Sequence, residues 1–270
     1  MFDFMRELLT IDASREAANF GNVKLLLDRI CEHNLYPRIL TIEEGVNEPE
    51  CVADGSKLLQ FGANNYLSLS NCPEVKAAAI RAIEEFGRLD ILVNNAGAIW
   101  LRPILKTPAK RFDLVMGVNV RAAFLACYYA LPHMVKQKWG HVLNMCPRLS
   151  TSPSPGKVAY MISKLGMAYV ALGLAAEHAA ENIAGNTLWP RTIIESQASI
   201  NWNMADRTQW RTPEIVCDAA IAIFAQEPHT STGRQWIDEE ALAELAGVTN
   251  FDNYWCAGKP PAHPIYIDKW

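Results

Sequence analysis

The sequence predicts an α/β fold: a three-layer parallel sheet whose first βαβ units are replaced by an atypical N-terminal segment. Three observations carry that expectation. After Gly87, short apolar runs alternate with long helical stretches, and strands alternating with crossover helices imply a parallel sheet covered on both faces. Half of the 270 residues are hydrophobic and a fifth are charged, which is enough apolar material for one sizeable domain or a domain with an appendage. Before Gly87, no glycines stand in a closely spaced turn after an apolar strand, so the usual opening unit is not spelled out. The chain is therefore read as two portions, residues 1–87 and residues 88–270.

The elements follow in order. Asp54-Gly55 lies between two apolar segments and signals a hairpin, and Ser70 or Asn71 before Pro73 marks a helix entry leading into the amphipathic stretch from Ala77 to Phe86. The run Asp90 to Asn94 reads as a buried parallel strand; the small residues after it, Ala96 and Gly97, let another molecule approach the backbone. A helix is expected over much of Ala109 to Lys136, then a strand from His141 to Met145, and an irregular Ser/Pro loop from Ser150 to Gly156. Next come a helix from Val158 to Ala180, a strand from Ile183 to Leu188, a helix from Pro213 to Ala225 capped by Thr212, and a last strand near Gln235 to Ile237. The two central helices are apolar nearly all round, as in Ala122 to Tyr129 and Met167 to Leu172, which predicts a homo-oligomer packed through them or thick local burial. A parallel sheet without its first strands would leave an exposed edge and a helix-free face for the N-terminal portion to cover.

Composition narrows the function classes. A net charge of −4 gives no electrostatic footprint for nucleic acid or an anionic membrane, and diffusible small molecules are the expected partners. No stretch reads as long and apolar enough to span a bilayer, since the run from Met167 ends at Glu177 and His178, and Met1 to Leu9 lacks the basic start and apolar core of a signal peptide. Seven scattered cysteines without a Cys-x-x-Cys favour a reducing compartment, so a cytoplasmic location is expected. The six histidines are dispersed and none falls in a metal-binding spacing, so no metal site is expected.

The motifs are more specific in combination. Ile91-Leu92-Val93-Asn94-Asn95-Ala96-Gly97, then Asn119 in Gly117-Val118-Asn119-Val120, then Tyr160-Met161-Ile162-Ser163-Lys164 resemble the short-chain dehydrogenase/reductase family in order and spacing. Asn186 to Thr192, Thr232 to Glu240 and the extension Gly247 to Phe251 are similar to a hydroxysteroid-dehydrogenase-like branch of it. The likeness runs from Arg88 to the end of the chain. It implies a Rossmann-like sheet and an NAD(P)(H)-dependent oxidoreductase acting on a carbonyl/alcohol pair, with NAD and NADP both left open.

In the chemistry so implied, Tyr160 is the acid-base group, and Lys164, one helical turn away on the same face, holds the cofactor ribose and lowers the tyrosine pKa. Asn119 anchors a water linking the site to solvent. Asn94, Ala96, Gly97, Tyr160, Lys164, Pro190 and Thr192 line the cofactor. The family places a serine about a dozen residues before the tyrosine; Cys146 and Pro147 stand there instead, which leaves Ser150 or Ser152 as its substitute through a re-routed loop.

Residues ~20–87 are similar to the N-terminal part of pyridoxal-phosphate-dependent α-oxoamine synthases, on Leu25 to Tyr36, Cys51 to Phe61, Asn64 to Ser70 and Pro73 to Phe86. No activity comes with that likeness, because the large domain that holds the pyridoxal phosphate is absent. The joint at Ala82 to Gly87 suits both families, and the reading of a chimera, natural or engineered, stands beside that of a divergent dehydrogenase. The family's glycine-rich phosphate loop is missing from residues 1–87, which motivates the alternative of a non-catalytic relative serving binding or oligomerisation.

Overall fold

The computed structural model describes residues 87–267 and three strands upstream of them, and divides into two compact units, residues 1–63 and 64–270. In the first unit, β1 (Ile42–Glu44), β2 (Glu50–Ala53) and β3 (Ser56–Leu59) form an antiparallel sheet in that order. Ala53 pairs with Ser56, so β2 and β3 are joined through the two residues Asp54-Gly55, as the hairpin signal predicts. The helix entry near Pro73 lies outside the described residues.

The second unit is built on four parallel strands, β4 (Ile91–Asn94), β5 (Gly140–Met145), β6 (Ile183–Trp189) and β9 (Gln235–Ile237), ordered β4-β5-β6-β9. This is the expected α/β, Rossmann-like sheet. Between β4 and β5 runs one continuous helical stretch: α1 (Ala109–Met116), a π-helical turn (Gly117–Arg121) and α2 (Ala122–Gln137). Next, α3 (Val158–Glu177) connects β5 to β6. After β6 come the two-residue strand β7 (Ile193–Ile194), the short α4 (Gln197–Asn201), and β8 (Trp210–Arg211) paired with β7. Helix α5 (Glu214–Phe224) precedes β9, and α6 (Asp238–Ala246) follows it directly. The sequence reading missed α4, α6 and the β7–β8 pair, which are too short or too charged to show an apolar period. The predicted Thr212 cap shifts by one residue: Pro213 is the N-cap of α5 and makes no side-chain bond.

Alternation along the buried strands makes the three layers. Val142 of β5 packs with Cys127, Met134, Leu174 and Ile183 on one face, while Leu143 packs with Leu188, Ile215, Ala219 and Ile223 on the other. Among the described residues β4 pairs on one side only, with β5, and Ile91 and Val93 remain 40% and 43% exposed. One expectation is corrected: Ala109–Gln137 and Val158–Glu177 are both long and apolar enough to cross a membrane by length and composition. The cause is visible in the second, more than half buried within the protein, where a helix packed on the sheet is apolar on several sides.

Candidate active site

The carboxyl ends of β4, β5 and β6 converge, which is where open parallel sheets bind ligands. Tyr160 and Lys164 reach this point from α3 and are 4% exposed each. The Lys164 Nζ donates to the Met145 carbonyl at the end of β5 (2.8 Å) and lies 5.9 Å from the centre of the Tyr160 ring and 6.0 Å from that of Trp189. Gly97 faces the same ammonium: a Cβ there would stand 3.2 Å from Lys164 Nζ and 3.3 Å from Asn119 Oδ1. A side chain at position 97 would thus crowd the lysine.

Asn119 sits in the π-helical turn, 1% exposed. Its Oδ1 accepts from Ala98 N–H (2.8 Å), and its Nδ2 donates to the Ala98 carbonyl (3.0 Å) and to Ser163 Oγ (2.8 Å). Ser163 in turn donates to the Tyr160 carbonyl (2.7 Å). The side chain expected to hold a water therefore fastens the chain leaving β4 to the tyrosine's helix. Such π turns recur at functional sites because the widened backbone redirects one side chain.

Burial sets the titration of the pair. Desolvation pushes the Tyr160 phenol well above the usual tyrosine value, and it lowers Lys164 to about 8. Burial and the neighbouring Cys146 set the direction for the tyrosine. Cys146 is fully buried among Ala123, Met167 and Ala168, its thiol pushed up to about 12 by burial.

The other predicted residues are placed as follows. Asn94 donates its amide to Asn144 Oδ1 (2.7 Å), and Asn144 donates to the Met167 carbonyl, so this side chain ties β4 to β5 and α3. Ala96 and Gly97 are exposed at the strand end. Thr192 is fully buried with Oγ1 unpartnered, and Pro190 lines a small pocket beside Tyr160. Ser150 is exposed, its hydroxyl accepting from Ser152 N–H (3.1 Å), while Leu149 N–H binds Gln235 Oε1 and Arg148 binds the Gln235 carbonyl. The loop is pinned to β9, and Ser150 does not line the Tyr160 pocket.

That pocket, about 110 Å³, is lined by Ile99, Trp189, Ile193, Ser199, Met204 and Ile267 among others. The C-terminal segment closes one side of it: Trp189 Nε1 donates to the Ile267 carbonyl (3.2 Å), and Ile267 N–H donates to the Arg191 carbonyl (2.7 Å). Ser196 caps α4 through Ser199 N–H, and Ser199 Oγ donates to the Ile194 carbonyl (2.5 Å). Sequence reasoning found none of these wall residues. Ser196 preceding a polar turn was a readable cap, whereas Ile267 carries no local signal at all.

Residues at the site fit the nicotinamide end of a dinucleotide: an ammonium, a phenol, a small-residue strand end and an orphaned buried hydroxyl. A parallel sheet presenting a tyrosine and a lysine one turn apart at its carboxyl edge is the architecture of a Rossmann-type oxidoreductase. The comparisons make this specific, and the chain belongs to the short-chain dehydrogenase family, whose model matches residues 66–206. The match starts upstream of Gly87, so residues 66–86 align with the dehydrogenases; the likeness to α-oxoamine synthases finds no support in these comparisons. Hydroxysteroid dehydrogenase-like protein 2 of Homo sapiens is 40% identical over 237 residues, 86% of this chain and 54% of the relative. The Mus musculus protein of that name is 43% identical over 198 residues, 72% of this chain and 39% of the relative. The chain thus spans about half the length, or less, of these curated relatives. Among solved structures, a protein from Xanthomonas campestris is 40% identical with a TM-score of 0.66, covering 73% of this chain and 72% of that one. A short chain dehydrogenase from Mycobacterium thermoresistibile is 38% identical with a TM-score of 0.60, covering 67% and 65%.

Proposed function

We propose that this protein is an NAD(P)(H)-dependent oxidoreductase acting on the carbonyl/alcohol pair of a small molecule, working as a homo-oligomer. The observation that carries the reading is the meeting of Tyr160, Lys164 and the Asn119-fastened strand end at one point of the sheet. The dinucleotide, when bound, supplies or accepts the hydride. Tyr160 passes a proton to the substrate oxygen in reduction and takes it back in oxidation. Lys164, while charged, binds the ribose and favours the phenolate by its positive charge. Asn119 holds Ala98 and so keeps the β4 end open. The apolar walls of the Tyr160 pocket exclude water from the reacting oxygen.

Titration with NADH and with NADPH, followed by cofactor fluorescence, tests this. Saturable binding is expected. Lys164→Ala weakens it about tenfold or more, while Tyr160→Phe keeps binding and loses carbonyl reduction. Because the missing phosphate loop removes backbone donors, affinity is expected below that of a typical micromolar site, at about 1.4 kcal/mol per tenfold. The Lys164 charge is lost as pH rises through about 8, so affinity falls across that window. Absence of binding up to about millimolar nucleotide in a folded protein would leave a non-catalytic relative.

A further inference from the structure

Two segments meet beside the Tyr160 pocket and bring two arginines with them. Ile99, after β4, lines the pocket, and Trp100 and Arg102 follow it; on the opposite side Ala198 and Ser199 of α4 line it, and Trp202 and Met204 follow. The Trp100 and Trp202 rings meet edge to face, with centroids 6.3 Å apart. Arg102 stacks over Trp202 at 5.0 Å and Arg111 over Trp100 at 4.9 Å. The result is a row, Arg111-Trp100-Trp202-Arg102, whose two tryptophans belong to the segments that supply Ile99, Ser199 and Met204 to the pocket wall.

Among the described residues the charge of this row is uncompensated. Arg102 donates to the Leu101 carbonyl, and among the described residues neither Arg102 nor Arg111 is ion-paired. Lys106 and Lys110 lie on the same exposed stretch, which carries no acid before Asp113. The acids across the pocket are already engaged: Glu195 binds Arg207 (2.5 and 3.0 Å), and Asp206 accepts from Thr208 N–H. Apart from Tyr160, the pocket itself presents apolar side chains and two serines bonded to each other. An arginine held over an indole keeps its charge and its remaining N–H donors available to a carboxylate or phosphate.

We propose that the substrate is an organic anion, whose apolar part carries the carbonyl or alcohol to Tyr160 while its carboxylate or phosphate ester is taken by an arginine of this row, Arg102 or Arg111, the other adding to the positive field beside the pocket. The inference rests on the oxidoreductase reading for its reacting group, and on the arginine row alone for its charge. A cavity of about 110 Å³ admits only a short apolar portion, which leaves the anionic group outside it at the arginines.

The test compares three probes of one shape: 4-oxopentanoate, its neutral methyl ester, and the phosphate ester of 5-hydroxypentan-2-one. Binding is measured by calorimetry and ligand-observed NMR. At least one anion is expected to bind about tenfold more tightly than the ester, and which anion wins separates carboxylate from phosphate recognition. The preference shrinks from about 20 to about 500 mM salt. It disappears in R102A/R111A, with ester binding unchanged, and is kept only in part in R102K/R111K, which retains the charge and loses the planar donors. Equal affinities, absence of binding by all three probes, or a preference that persists in R102A/R111A overturns the proposal. Turnover of the ester with no advantage for either anion leaves the oxidoreductase reading standing and this one refuted; an arginine-dependent anion preference in a protein that binds no nucleotide does the reverse.

Discussion

Asp238 shows how one residue at the end of β9 braces the site from behind. It is fully buried; Oδ1 accepts from Arg191 N–H (3.0 Å) and Glu239 N–H (2.8 Å), and Oδ2 has no partner. Around it Arg211 binds Glu239 (2.5 Å), Glu239 binds Arg191 (3.2 Å), and Arg211 stacks on Trp255 at 4.5 Å. Burial raises the Asp238 carboxyl to about 6, against the backbone donors and Arg211, which pull it down. An acid whose folded pKa is raised binds its proton more tightly in the folded state, so stability falls as pH climbs from about 4 to about 6 and is level above. Asp238→Asn keeps the Oδ1 acceptor and removes this titration. Urea unfolding at about pH 4.5 and about pH 7 should show the variant gaining on the parent by roughly 2 kcal/mol across that interval; parallel pH dependences would refute the assignment. The place of the family's serine, held here by Cys146, is decided at the same scale. Cys146 points into the core because the position is the buried phase of the strand's exit, while Ser150 is drawn towards β9 by Gln235.

At the scale of elements, the approach of α3 to β6 fixes where Tyr160 can stand. Gly185 makes that approach possible: a Cβ there would lie 2.2 Å from the Ala171 carbonyl oxygen and 3.1 Å from Ala175 N, both helix backbone that cannot yield without moving α3. Gly185→Ala is therefore expected to destabilise by about 3 kcal/mol or more. At Gly140 the near atoms all belong to the Met134 side chain, Sδ at 2.6 Å, Cγ at 2.8 Å and Cβ at 3.0 Å, so the thioether must swing aside and Gly140→Ala should cost less, about 2 kcal/mol. Denaturant midpoints of the two variants check the ranking, and equal losses would show that the helix is free to shift. The order and type of the seven long elements after Gly87 were legible because each has a clear apolar period or run. The π turn was not, because only the pull of Ala98 and Ser163 on Asn119 distinguishes it from ordinary helix.

At the scale of the whole molecule, an apolar face is uncovered among the described residues. Phe124, Tyr128 and Tyr129 of α2 and Tyr169 of α3 are 57%, 63%, 70% and 69% exposed, and a groove of about 410 Å³ runs between the helices with Glu177 as its charged lining residue. A face this apolar fits a second copy of the same chain, consistent with the proposed homo-oligomer. Tyr128→Glu with Tyr169→Glu would place charges in that contact, and light scattering should show the mass falling to that of one chain. A parent protein that is itself monomeric at high concentration would refute the assembly.

What the sequence determined by itself is local or periodic: the parallel α/β sheet, the hairpin at Asp54-Gly55, and the pair Tyr160 and Lys164, whose relation is set by one turn of helix. Those features depend on neighbours within a few residues, so they can be read along the chain. The tertiary structure alone decided the rest. Asn119 closes on Ala98 across 21 positions, Asp238 on Arg191 across 47, and Trp189 on Ile267 across 78. The packing of apolar faces, rather than any local pattern, brings those pairs together. The same packing sets the environment that raises Tyr160 and lowers Lys164, because burial is a property of everything that surrounds a residue and of nothing written at its own position.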